Sequence, residues 1–135
     1  MSLENKNKKN SKFLFGVVGF CLFFSVVLCG NSKNIKMYER DYQYIFCNNQ
    51  NGIIEYRLKD KSRVDCLTKD YAIEIDYGKK WAESIGQSLY YSYMTNRKAG
   101  IGIIVDINSK ADNRYLKRLY KVTNKLDIKV FIIHK

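Results

Sequence analysis

Arg63–Tyr91 reads RVDCLTKDYAIEIDYGKKWAESIGQSLYY, two alternating segments followed by a stretch almost free of breakers. Arg63 to Thr68 alternates, and Tyr71 to Tyr77 does so more clearly, with Ile73 and Ile75 on one side and Glu74 and Asp76 on the other. This pattern predicts two strands. Lys69 and Asp70 make a two-residue connection, so the hairpin register sets Val64 opposite Ile75 and Cys66 opposite Ile73 on one apolar face. On the other face it sets Asp65 opposite Glu74 and Arg63 opposite Asp76. Opposed side chains have Cβ atoms about 4.5–5.5 Å apart, and like charges there repel. Arg63 and nearby lysines, a shared proton with a raised carboxyl pKa, or a divalent cation would each offset that repulsion. Hard oxygen donors with no neighbouring histidine suit Mg²⁺ or Mn²⁺ better than Zn²⁺. A sheet face dressed with mixed charge is the plainer alternative.

Downstream, Lys79–Asn96 contains only Gly86 as a breaker and repeats Trp81, Ile85 and Leu89 at helical spacing. Lys80, Ser84, Gln87 and Tyr91 share another face of that helix. A lysine and an amide at the mouth of a carboxylate site can orient a scissile phosphate and its attacking water; a solvated helix side is the alternative. Upstream, Gly52 to Leu58 alternates as a further strand, and a register that keeps Tyr56 and Leu58 on the apolar face sets Glu55 beside Asp65. Before it, Met37, Tyr38, Tyr42, Ile45 and Phe46 predict a helix over Lys36–Asn48, ended by the turn-rich Asn48–Gly52. Beyond the central helix, Ile101–Ile107 is an apolar run expected of a strand covered on both faces. Ala111–Lys125 predicts a third helix and Ile128–Ile133 a last strand. The order α-β-β-β-α-β-α-β implies an α/β domain, a mixed sheet flanked by helices.

This succession resembles the PD-(D/E)XK superfamily, the restriction-endonuclease-like nucleases: an acidic strand residue (Asp65), an acidic-x-variable triplet on the next strand (Glu74–Asp76), then a helix bearing Gln-x-x-x-Tyr (Gln87–Tyr91). The pattern is most similar to the exonuclease branch, and Arg63–Tyr91 also looks similar to a set of small exported proteins with a nuclease-like core. The resemblance covers roughly residues 36–133. It implies that Asp65 and Glu74 ligate Mg²⁺ or Mn²⁺, that Gln87 and Tyr91 support the site, and that nucleic acid is the substrate. One departure is that Asp76 stands where the family's lysine belongs; Lys80, one turn into the helix, can reach back to replace it. Glu55 or Asp76 would complete the metal shell.

The 135 residues suffice for one such domain and exclude a second catalytic one. Hydrophobic content of 46% with no proline run or repeat is that of a folded chain. Lys6–Lys12 and the charge-free run Phe13–Cys29, followed by Gly30, Asn31 and Ser32, have the order of a secretory signal. At about seventeen residues the run lies between a long signal core and a short membrane span. Residues 1–30 are therefore expected to be a signal peptide or an N-terminal membrane anchor, and residues 31–135 the domain. Val26–Cys29 is also similar to a lipoprotein box, with Cys29 the acylated residue and the bulky Leu28 a departure. Export to the periplasm or outside the cell makes Cys47 and Cys66, the only domain cysteines, one disulfide; a cytosolic chain would keep them as buried thiols. Beyond residue 30 the chain carries 20 basic against 12 acidic groups, a net +8. Such a field attracts polyanions, nucleic acid or anionic lipid. The expected activity is a divalent-metal-dependent nuclease making backbone contacts of low sequence specificity. Its alternatives are a catalytically inactive nucleic-acid-binding domain and a membrane-anchored envelope interaction protein held by residues 13–29. The sole histidine, His134, reads as a solvated tail residue.

Overall fold

The computed structural model describes residues 36–135. The expected signal peptide or anchor, its apolar run 13–29 and Cys29 lie outside the described residues. The elements follow the expected order: α1 (Glu39–Asn49), β1 (Ile53–Arg57), β2 (Arg63–Leu67), β3 (Tyr71–Tyr77), a 3₁₀ turn (Gly78–Lys80), α2 (Trp81–Thr95), β4 (Lys98–Val105), α3 (Lys110–Leu126) and β5 (Lys129–His134). One five-stranded sheet runs β1-β2-β3-β4-β5. The first three strands pair antiparallel, and β3-β4 and β4-β5 pair parallel, so the sheet is mixed.

The two parallel crossovers advance in the same direction across the sheet, and crossovers of one hand then put α2 and α3 on one face. Ala99, Ile101, Ile103 and Val105 of β4 pack there with Leu119, Trp81, Ile85 and Leu116. α1 covers the opposite face, where Tyr42, Phe46 and Cys47 meet Ile73, Ile75, Ile104 and Phe131. β4 is thus buried on both sides, the reason its sequence is apolar without alternation. The Cys47–Cys66 disulfide ties α1 to β2. The backbone at Gly52 runs so close that a Cβ there would lie 2.5 Å from Cys66 Sγ and 2.7 Å from Cys47 Sγ.

Most boundaries shift by one or two residues from the sequence reading, and at α1 and β4 the shifts have a local reason. α1 starts at Glu39 rather than Lys36, because Asp41 accepts the Tyr38 N–H at 2.8 Å and so caps the helix three residues later. β4 occupies Lys98–Val105 rather than Ile101–Ile107. Asn96, at φ 53°, closes α2 in the left-handed conformation and delivers the chain straight into the strand. At the other end Asp106 accepts the Asn108 N–H and Ser109 that of Asp112, so Ile107 belongs to the turn that starts α3.

The hairpin register is as expected at Cys66↔Ile73 and Leu67↔Ala72, but the ladder stops there. Val64 and Cys66 do not share one apolar face. Cys66 and its β1 partner Ile54 lie under α1, whereas Val64 packs with Leu58, Leu67, Ala72 and Tyr91 on the α2 face. The alternation turns over at the intervening pair, Glu55 and Asp65. Glu55 has φ 53°, a left-handed value that non-glycine residues adopt at a cost of order 1–3 kcal/mol when held in a strand. Strict period-two reasoning places every second residue on one side and cannot register such a turnover.

Candidate functional site

Where β2 and β3 cease to pair, a cleft of about 520 Å³ opens. Asp65 fills the lost ladder position, its Oδ2 accepting the Ile75 N–H at 2.8 Å. Glu74 and Asp76 alternate with Ile73 and Ile75 on β3 and so face the cleft from the α2 side, 5% and 2% exposed. α2 follows β3 after one 3₁₀ turn, which swings its first residues back over the strand end. All seven side chains singled out from sequence, Glu55, Asp65, Glu74, Asp76, Lys80, Gln87 and Tyr91, line this one cleft.

The polar row splits: Ser84 is fully buried and Tyr91 nearly so, whereas Lys80, in the 3₁₀ turn, is partly exposed and Gln87 lines the cleft from an exposed position. Lys80 does reach back, its Nζ 2.9 Å from Asp76 Oδ1 and 3.7 Å from Glu39 Oε2. The bond to Asp76 holds the ammonium protonated, its pKa raised. Arg63 was expected opposite Asp76. It instead pairs with Glu55, Nη1 to Oε2 at 2.6 Å, because the turnover at Asp65 directs it toward β1.

The electrostatics follow from burial among like charges. Desolvation, reinforced by Asp65 and Asp76, pushes the Glu74 carboxyl up to about 9. Glu74 has no hydrogen-bond partner among the described residues, and of the groups around it only the Lys80 charge opposes the loss of water. Burial likewise pushes Asp65 up to about 7, with Glu55 and Glu39 adding to it and the Ile75 N–H opposing. The Tyr91 hydroxyl, buried beside Glu74 and Asp65, is pushed up to about 12 and remains a proton donor at neutral pH.

Sequence reasoning missed what α1 contributes. Gln43 is 6% exposed, and its Nε2 donates to Glu55 Oε1 at 2.9 Å and to both Oδ1 and the carbonyl of Asp65 at 3.2 Å. One amide thus clamps two carboxylates. Glu39, raised by burial and by Asp76, closes the same side. A signal existed: Gln43 lies one turn before Cys47, so a disulfide to Cys66 brings that amide to the neighbour of Cys66, Asp65.

Among the described residues no three acidic, histidine or cysteine side chains already converge as a metal shell. The donor set is nevertheless one of hard oxygens, with the Glu74 carboxyl unpartnered and Asp65 in the same cleft. Two such groups fit a cation that keeps most of its own waters, as Mg²⁺ does. Compared with known protein families, curated proteins and solved structures, the chain matches none. The described residues form an α/β domain with a mixed five-stranded sheet, a disulfide suited to an oxidising compartment, and an acidic cleft with one lysine at its rim.

Proposed function

We propose that this protein is an exported, divalent-metal-dependent phosphodiesterase acting on nucleic acid, with a restriction-endonuclease-like core. The observation that carries the reading is the convergence of Asp65, Glu74, Lys80 and Gln87, from β2, β3, the 3₁₀ turn and α2, on one cleft whose Glu74 carboxyl is buried without full internal compensation. Asp65 and Glu74 would hold Mg²⁺ or Mn²⁺, with Glu55 or Asp76 reached through water. When bound, such an ion lowers the pKa of a coordinated water and neutralises charge on the phosphate. Lys80, at the cleft rim and anchored by Asp76, orients the attacking water. The Gln87 amide and Tyr91 hydroxyl donate to phosphate oxygens, and Gln43 keeps the Asp65 carboxyl in place.

A second reading is favoured by one specific observation: Asp76 occupies the usual lysine position, and the Lys80 ammonium is already engaged by it. In that reading the domain binds nucleic acid without cutting it. Incubating a labelled oligonucleotide with the protein in Mg²⁺ or Mn²⁺, and in chelator, separates the two. Metal-dependent cleavage lost in Asp65→Ala, together with loss of Mn²⁺ binding by calorimetry, is the expected result. Binding without cleavage would leave the second reading, and unchanged metal binding in Asp65→Ala would remove the proposed site.

A further inference from the structure

The outer face of α3 carries a charge that no acidic group among the described residues neutralises. Its one acid, Asp112, is buried and held by Lys135 Nζ at 2.8 Å. Arg114, Lys117, Arg118, Lys121 and Lys125 are all exposed, and none forms an ion pair among the described residues. They recur three and four residues apart, so they share one side of the helix, where like charges destabilise it. A solvated surface helix ordinarily mixes the two signs, which removes that repulsion. A strip of one sign, kept against its own helix, has the electrostatics of a polyanion contact.

Two observations select the polyanion. An interfacial helix inserts apolar side chains into the lipid boundary, but here Leu119 is buried in the core and Leu116 packs against it, leaving Tyr120 and Leu126 as the exposed large apolar side chains of α3. The strip also leads to the cleft. α3 packs on the 3₁₀ turn, where Gly78 lies against the Asp112 and Tyr115 side chains, and that turn carries exposed Lys79 and then Lys80 at the cleft rim. From Arg114 to Lys125 the axis advances about 16 Å, the rise of about five phosphates of one strand.

We propose that this face of α3 grips the phosphate backbone of nucleic acid and guides it toward the cleft. The partner named here rests on the phosphodiesterase reading, although the grip itself does not need catalysis. Because only phosphates are engaged, binding is independent of base sequence and steeply dependent on salt.

The test compares the full-length protein with the double variant Lys117→Glu/Lys121→Glu, using a fluorescent mixed-sequence DNA duplex in chelator between about 50 and 200 mM salt. Loss of two contacts should lower the slope of log K against log salt by about 1.8 and weaken binding at least tenfold at the low-salt end. The thermal midpoint should hold or rise, since the 114/117, 118/121 and 121/125 neighbours become attractive, so a folding failure is not the expected cause. Metal-dependent hydrolysis of a small phosphodiester, bis-p-nitrophenyl phosphate, should be unchanged because neither lysine lines the cleft. Unaltered duplex affinity and slope would overturn the proposal. So would wild-type protein that binds anionic phosphatidylglycerol vesicles through these lysines and ignores the duplex. If wild type hydrolyses nothing yet the variant loses the duplex, the grip stands and the phosphodiesterase reading falls.

Discussion

Glu74→Gln in metal-free protein should flatten the dependence of stability on pH. The Glu74 carboxyl is 5% exposed, lacks a hydrogen-bond partner among the described residues, and is pushed from its ordinary 4.5 up to about 9 by burial and by Asp65 and Asp76. Between those values the folded state holds a proton that the unfolded chain has released, so stability falls as pH rises. The contribution is fully present below about pH 4.5, declines progressively, and is spent above about 9. Each unit of pH inside the window costs about 1 kcal/mol or slightly more, so from pH 5 to pH 7 this one group accounts for about 2–3 kcal/mol. Asp65, pushed up to about 7 by burial, adds a decline of the same sign in the same interval. Urea unfolding at constant ionic strength with excess chelator measures both. The wild type should lose stability from pH 5 to pH 7, and Glu74→Gln should lose about 2–3 kcal/mol less over that interval. Addition of Mg²⁺ at pH 7 should stabilise the wild type and leave Glu74→Gln little changed, since a ligand that binds only the folded state shifts the equilibrium by mass action. Parallel pH profiles for the two proteins would refute the reasoning, because they would mean that Glu74 is ionised in the folded state and compensated by the protein.

Gln43→Ala should destabilise the domain by about 1–3 kcal/mol at neutral pH, the cost of leaving buried acceptors without their donor; chemical denaturation of the variant checks this, and an effect below a few tenths would mean the amide is not clamping Glu55 and Asp65. Cys47→Ser/Cys66→Ser should cost about 3 kcal/mol from the freed loop of nineteen residues' separation. Gly52→Ala, whose Cβ would press on both sulfurs, should weaken the oxidised protein and be nearly silent in the cysteine-free background. Thermal melts of the four proteins give the coupling directly, and additive effects would sink the argument for contact at that point.

The positions of the candidate residues were legible to different degrees, for physical reasons. Ile73, Glu74, Ile75 and Asp76 could be assigned to alternate faces because a strand has a fixed period of two, and the two-residue link at Lys69–Asp70 left one register for Cys66↔Ile73. Lys80, Gln87 and Tyr91 followed from the helical period. The same rules failed at Asp65, where a side chain replaces a backbone ladder bond and the pair with Glu55 turns over. Gln43 was missed because its role depends on an element twenty-two residues away in the chain. Local spacing carries no information about which residues of α1 look down on β2, although the cysteine pair could have supplied it.

Periodicity and turn chemistry act over a few residues, and so the sequence by itself determined the succession of helices and strands, the apolar character of β4 and the alternation along β3. Which face of α2 is buried, which carboxylates lose their water together, and which cation answers which carboxylate were decided only when α1, the splayed hairpin and α2 packed around one cleft. Burial and Coulomb energy depend on distance through space, and the chain's own order does not encode that distance.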